Sequence, residues 1–165
     1  MGIDPGLRVT GYGCVEGDPA RLVEAGVFRL RADEAAQAGG EAVSARLEEL
    51  DADLRGAIER LRPEAAAVEA IFAHYKHPAT AIAMAHARGV ILLNIRRAGL
   101  RLVEFKPNAV KKFLTGHGHA SKEQMQEAVR SRLGLPARPE PADVADAIAI
   151  ALCAAWRGVD ARTGG

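Results

Sequence analysis

Two hydrophobic repeats alternate along this chain, and the switches between them predict its order of elements. Arg8–Val15 and Leu22–Leu30 read as the second and third strands of an antiparallel meander. Ala42–Leu61 changes to a helical repeat, with Val43, Leu47, Leu50, Leu54, Ile58 and Leu61 at spacings of three and four and charges between them. Ala65–Phe72, an apolar run after Pro63, predicts a buried parallel strand. Pro78–Ala98, rich in small residues and ended by Gly99, predicts a second long helix, and Leu100–Phe105 another strand. Pro107–Thr115 reads as a short helix, followed by the loop Gly116-His117-Gly118-His119. Ser121-Lys122-Glu123-Gln124 has the capping-box pattern and opens a helix to about Leu133. Pro136, Pro139 and Pro141 mark an extended connection. The last helix starts at Pro141 or Ala142 and ends near Trp156, leaving a frayed tail over 159–165. Three meandering strands followed by helix, strand, helix, strand and helices is a mixed α/β order, for which one sheet with helices on both faces is one of several layouts. No repeat or linker divides it, so 1–158 reads as one domain.

Composition narrows the picture. A chain of 165 residues can bury a real core, and with aromatics at only 4% that core is built from Ala, Val, Leu and Ile. No stretch approaches the ~20 apolar residues of a membrane span, and no signal-peptide pattern is present. Cys14 and Cys153 form no CxxC pair and read as buried, reduced thiols of a cytoplasmic protein. A net charge of +1 argues against indiscriminate nucleic-acid binding, but the charge is unevenly placed. Residues 33–64 hold nine acids against four bases, and 101–138 hold eight bases against three acids. Such a basic flank can bind a polyanion, or can simply be a solvated helix surface.

Four carboxylates stand where a folding protein has little use for them. Asp4 leaves a short apolar stretch directly into a Pro5-Gly6 turn, where proline presets φ and glycine accepts positive φ. A rigid carboxylate with little bulk around it suits a divalent metal or a phosphate. Glu69 interrupts the apolar strand Ala65–Phe72, at a cost of several kcal/mol unless it points outward, is paired or binds a cation. Asp143 and Asp146 lie three apart on one face of the last helix. Asp143 alone fits a helix N-terminus, but Asp146 lies a turn deeper among alanines and isoleucines. If neighbouring strands hold Asp4 and Glu69 and the helix packs across them, the four converge. Oxygen donors without a His or Cys motif favour Mg²⁺ or Mn²⁺ over zinc, and two ions ~3.5–4 Å apart serve in-line phosphodiester hydrolysis.

The chain resembles the RuvC-type Holliday junction resolvases, within the ribonuclease H-like nucleases. The resemblance rests on Gly2-Ile3-Asp4-Pro5-Gly6 with Thr10-Gly11-Tyr12-Gly13, Glu69 with Phe72, and Ala87-Arg88-Gly89-Val90. It extends through Lys111 and Lys122 to Asp143-Val144-Ala145-Asp146-Ala147-Ile148-Ala149-Ile150-Ala151, covering nearly the whole chain in order. It implies a ribonuclease H-like fold with a five-stranded mixed sheet, and a homodimer that nicks two like-polarity strands of a four-way DNA junction symmetrically. It further implies Asp4, Glu69, Asp143 and Asp146 as catalytic acids and ligands of two Mg²⁺ or Mn²⁺ ions, with 5′-phosphate and 3′-hydroxyl products. Thymine-containing cleavage sites and partnership with the branch-migration proteins RuvA and RuvB, in DNA recombination and repair, follow from the same resemblance.

Lys122 sits in the first turn of a helix, where a cation opposes the dipole by ~0.3–1 kcal/mol, and this points to a phosphate contact or a tolerated exposed lysine. Lys106, Lys111 and Lys112 add charge that positions DNA without reading it. Arg130, Arg132 and Arg138 extend the patch or solvate a helix. Phe72, which in the family stacks on junction bases, otherwise closes the end of the sheet; Tyr75 is a second candidate for stacking, and Lys76 a further DNA contact. His74-Tyr75-Lys76-His77 departs from the family's usual lysine–asparagine pair, and Ala85-His86-Ala87-Arg88 from Gly-Gln-Ala-Arg. The second departure falls on a small-residue helix suited to a dimer contact or to core packing. Family members normally carry a few apolar residues before the first motif. Here Met1 falls almost on it, so the first strand is expected to be short and upstream residues to stabilise it. An actin-like ATPase also opens on such a hairpin, but needs two such folds and leaves Asp143 with Asp146 unexplained. A junction-binding module without cleavage is the other alternative, and the four acids give no reason for inactivity.

Overall fold

The computed structural model describes residues 1–30, 39–70 and 78–163. Its elements are β1 (Gly2–Asp4), β2 (Val9–Glu16), β3 (Arg21–Arg29), α1 (Gly40–Leu61), β4 (Ala65–Glu69), α2 (Pro78–Arg97), β5 (Arg101–Phe105), α3 (Pro107–Thr115), α4 (Lys122–Leu133) and α5 (Ala142–Thr163). The strands form one mixed sheet in the order β3-β2-β1-β4-β5. β1, β2 and β3 make the antiparallel meander, and β4 and β5 run parallel to β1. This is the five-stranded mixed sheet the sequence predicts.

Helices cover both faces. On one, the apolar stripe of α1 buries Leu50, Leu54 and Ile58 with Ala87, Ile91 and Ile95 of α2, against Ile3, Phe28 and Val68 of the sheet. On the other lies α5, with α3 and α4 packed outside it. From Val144 to Cys153 every residue of α5 except Asp146 is buried. A helix apolar all round is one enclosed on all sides. Here the sheet lies on one side and two helices on the other.

Two boundaries and one turn differ from the sequence reading. β4 ends at Glu69, Ala70 is not part of the strand, and Ile71 and Phe72 lie outside the described residues. α5 continues past Trp156 to Thr163, so 159–163 of the expected frayed tail are helical, and 164–165 lie outside the described residues. Trp156 packs on Phe113 of α3 with ring centroids 5.4 Å apart, and Arg157 lies 4.7 Å over the Phe105 ring, so tertiary packing carries the helix beyond its apolar repeat. The third difference is at Gly6, which does not adopt positive φ; a Cβ there would instead collide with the Val9 carbonyl oxygen. Both cysteines are buried free thiols, and burial pushes Cys153 up to about 12. Among the described residues no helix is long and apolar enough to cross a membrane.

Candidate functional site

Asp4 is the last residue of β1 and Glu69 the last of β4. The parallel register pairs Gly2 with Ala67 and Ile3 with Val68, so its next step sets Asp4 alongside Glu69. The turn after Asp4 is closed by a side chain. Thr10, fully buried, donates its Oγ1–H to the Gly6 carbonyl at 2.6 Å and accepts the Gly6 N–H at 3.3 Å. Met1 lengthens the pairing of this three-residue strand. Its ammonium donates to the Ala65 carbonyl at 2.9 Å, and its own carbonyl accepts the Ala67 N–H at 2.8 Å.

α5 reaches this edge because three strand positions have no side chain. A Cβ on Gly11 would collide with the Asp143 carbonyl oxygen, and one on Gly2 with the backbone of Ala147 and Ala151. A Cβ on Gly13 would stand 3.0 Å from the Ile148 Cα. Backbone therefore rests on backbone, and the first two turns of α5 carry Asp143 and Asp146 to the ends of β1 and β4. The connection before α5 is fixed separately, by Gln126 Nε2 donating to the Pro139 carbonyl at 2.8 Å.

Asp146, Glu69 and Asp143 all lie close enough to Asp4 for their charges to act on it. Burial, then the charges of Asp146, Glu69 and Asp143, push the Asp4 carboxyl up to about 8, and Lys122 pulls it back. Burial and then Asp146 raise Glu69 to about 7, opposed by Lys111. Burial is also the largest cause raising Asp146; Lys122 and Lys111 oppose it and Asp143 adds to it. Among the described residues, no three acidic, His or Cys side chains stand ready-made as a metal-holding group. Carboxylates that repel one another do not close up on their own. The donor set nevertheless fits a hard divalent ion such as Mg²⁺ or Mn²⁺: oxygen ligands only, partly buried, with more negative charge than their two lysines balance.

The predicted basic residues divide. Lys122 is the first residue of α4, behind a complete capping box between Ser121 and Gln124, and Lys111 is half-buried on α3; both act on the acids. Lys112 is exposed near the end of α3, and Lys106 is exposed just before it. Arg130 and Arg138 both engage Glu127, at 2.6 and 2.8 Å, while Arg132 stacks on Phe113 at 4.9 Å. Their charge is thus partly spent within the fold. Phe72, Tyr75 and Lys76 lie outside the described residues. Sequence reasoning did not anticipate the glycine groove under α5, although Gly11 and Gly13 at alternate positions of one strand were its signal.

A mixed five-stranded sheet with carboxylates at the ends of its two central parallel strands, and a helix laid across them carrying two more, defines a ribonuclease H-like nuclease. The family model for the crossover junction endodeoxyribonuclease RuvC matches residues 1–154. RuvC of Rhodopirellula baltica is 43% identical over 155 residues, covering 93% of this chain and 83% of that protein. RuvC of Chloroflexus aggregans is 46% identical over 158 residues, covering 94% and 92%. The solved structure of Thermus thermophilus RuvC in complex with a Holliday junction substrate superposes with a TM-score of 0.82 at 36% identity, covering 97% of this chain and 94% of that one. The chain belongs to the RuvC family of crossover junction endodeoxyribonucleases.

Proposed function

We propose that this chain resolves four-way DNA junctions, nicking two strands of like polarity symmetrically and leaving 5′-phosphate and 3′-hydroxyl ends. The observation that carries this reading is the meeting of Asp4, Glu69, Asp143 and Asp146 at one end of the sheet, where burial and mutual repulsion hold Asp4 at about 8. These four carboxylates would hold two Mg²⁺ or Mn²⁺ ions. When bound, such ions supply an activated water and neutralise the charge on the leaving oxygen. The chain itself fixes where the ligands stand, through the Thr10–Gly6 bonds and the backbone contact of α5 with β1 and β2. Lys111 and Lys122 bring cations to the same place, where the scissile phosphate and its neighbours arrive. Lys106 and Lys112 extend the phosphate-binding flank. Phe72 and Tyr75 are assigned base stacking, and Lys76 a phosphate contact, on sequence alone.

Symmetric cutting calls for a homodimer, and α2 offers the contact. One side of this helix buries Ala87, Ile91 and Ile95, whereas Ile82 is 60% and Leu93 45% exposed, with open space over Gly89 between them. An apolar helix with an uncovered apolar side suits a second copy of the chain. Residues 1–158 act as a single nuclease domain in the cytoplasm, in DNA recombination and repair, with the branch-migration proteins RuvA and RuvB as partners. The structure of the Thermus thermophilus relative with its Holliday junction supports the substrate.

Incubating the protein with a synthetic four-way junction and Mn²⁺ tests this reading. Paired symmetric nicks that vanish in Asp146→Asn, with junction binding retained, are expected. Binding without nicks in any divalent metal would overturn it.

A further inference from the structure

Each piece of chain that delivers an acid has its own fastening. β1 has Thr10 on Gly6, α5 has the glycine groove and Gln126 on Pro139, and β4 has Arg88. Arg88 lies on α2 with its side chain only 14% exposed. Its Nε–H donates to the backbone carbonyl of Glu69 at 3.3 Å, and its Nη2 pairs with the Glu104 carboxylate of β5. Glu104 stands beside Val68 in the β4–β5 register, one step before Glu69. A single guanidinium thus adds to the Glu69–Phe105 pairing of the β4–β5 ladder a side-chain tie between the last residue of β4, Glu104 of β5 and α2.

We propose that Arg88, held by Glu104, is a positioning residue that fixes Glu69 for metal binding. It touches no reacting atom. It acts on the backbone of the residue whose carboxylate does the holding, at a strand end where pairing with β1 has run out. The fork of a guanidinium is rigid and presents donors side by side along one edge, so it can hold a carbonyl and a carboxylate together. An ammonium is a point charge and cannot keep both in fixed relation. Supporting groups of this kind commonly change metal affinity or activity by about 10–100-fold when removed.

This inference rests on Glu69 being a metal ligand, and the experiment separates the two ideas. Junction cleavage by the full chain is titrated with Mn²⁺ for wild type, Glu69→Gln, Arg88→Lys and Glu104→Gln. Junction affinity is measured alongside in Ca²⁺, with thermal melting for each variant. Arg88→Lys is expected to raise the Mn²⁺ needed for half-maximal cleavage by about tenfold or more, with junction affinity unchanged. Glu104→Gln, which leaves the Glu69 bond in place but loosens the guanidinium, is expected to shift it less, and carries the test alone if Arg88→Lys does not fold. A wild-type Mn²⁺ dependence in both variants would overturn the proposal, as would a loss of junction affinity as large as the loss of cleavage. Cleavage by Glu69→Gln at the wild-type rate would instead overturn the reading of the centre.

Discussion

The two faces of the sheet are built by different means. Under α1 and α2 the contact is made by side chains: Leu50, Leu54, Ile91 and Ile95 meet Ile3, Phe28 and Val68. Under α5 the strands contribute Gly2, Gly11 and Gly13, and the helix backbone fills the space their side chains would take. Side-chain packing sets a volume that several residues can fill. Backbone packing sets a distance, and nothing but glycine preserves it. The face that positions Asp143 and Asp146 is the one that uses the second method, so the precision of the site is bought with glycines on one side only.

Substitutions on the two faces should therefore fail differently. Gly11→Ala drives a methyl into the Asp143 carbonyl and moves the start of α5. Cleavage by the folded fraction should fall by about 100-fold, the scale expected for a misplacement of about 1 Å, and single-turnover rates normalised to folded protein measure it. Leu54→Ala, on the other face and fully buried, should cost about 2–5 kcal/mol in denaturant melts. Its cleavage rate per folded molecule should stay that of wild type. Equal losses per folded molecule from both would erase the distinction between the faces.

A pH dependence follows from the acids themselves. Asp4 at about 8 and Glu69 at about 7 both lie above their unfolded values of about 4. Such groups bind more protons folded than unfolded, so their stabilising contribution is complete below about pH 4 and is lost as pH rises through their folded values. In chelator, the melting temperature should drop between about pH 4 and 8, and saturating Mg²⁺ should flatten that slope. A metal-free melting temperature that rises steadily over this window would contradict the crowded-carboxylate centre. The smallest change in stability is expected from Asp143→Asn. Removing a charge that presses on Asp4 and Asp146 should leave the metal-free melting temperature unchanged or higher while cleavage is lost. A large drop would assign Asp143 to a structural ion pair.

Much of the fold was legible because local pattern and tertiary role agree in it. The α1 stripe, the Ser121 capping box and the acid within Ala65–Phe72 each announce themselves within a few residues. Where a role depends on a distant partner, the sequence was silent. Gly11 and Gly13 looked like small strand residues until α5 lay on them. Arg130 and Arg138 read as a basic patch or a solvated helix surface, but they share the Glu127 carboxylate, whose single charge offsets part of theirs. Lys111 read as a DNA contact and Lys122 as a phosphate contact or a tolerated exposed lysine, yet both also oppose the raised pKa of the acids. Trp156 gave no sign that an aromatic neighbour on α3 would carry the helix past it.

The placement of α5 also has a consequence for the order of events in a cell. A chain emerging from the ribosome presents Asp4 and Glu69 long before Asp143 and Asp146 are made, and the same helix that supplies the missing pair fills the middle of the second core. With the centre proposed above, capacity to cut DNA and completion of the fold arrive in a single step. A nascent or truncated chain carries half the proposed acids and an open hydrophobic face, the kind of surface that makes incomplete chains prone to aggregate.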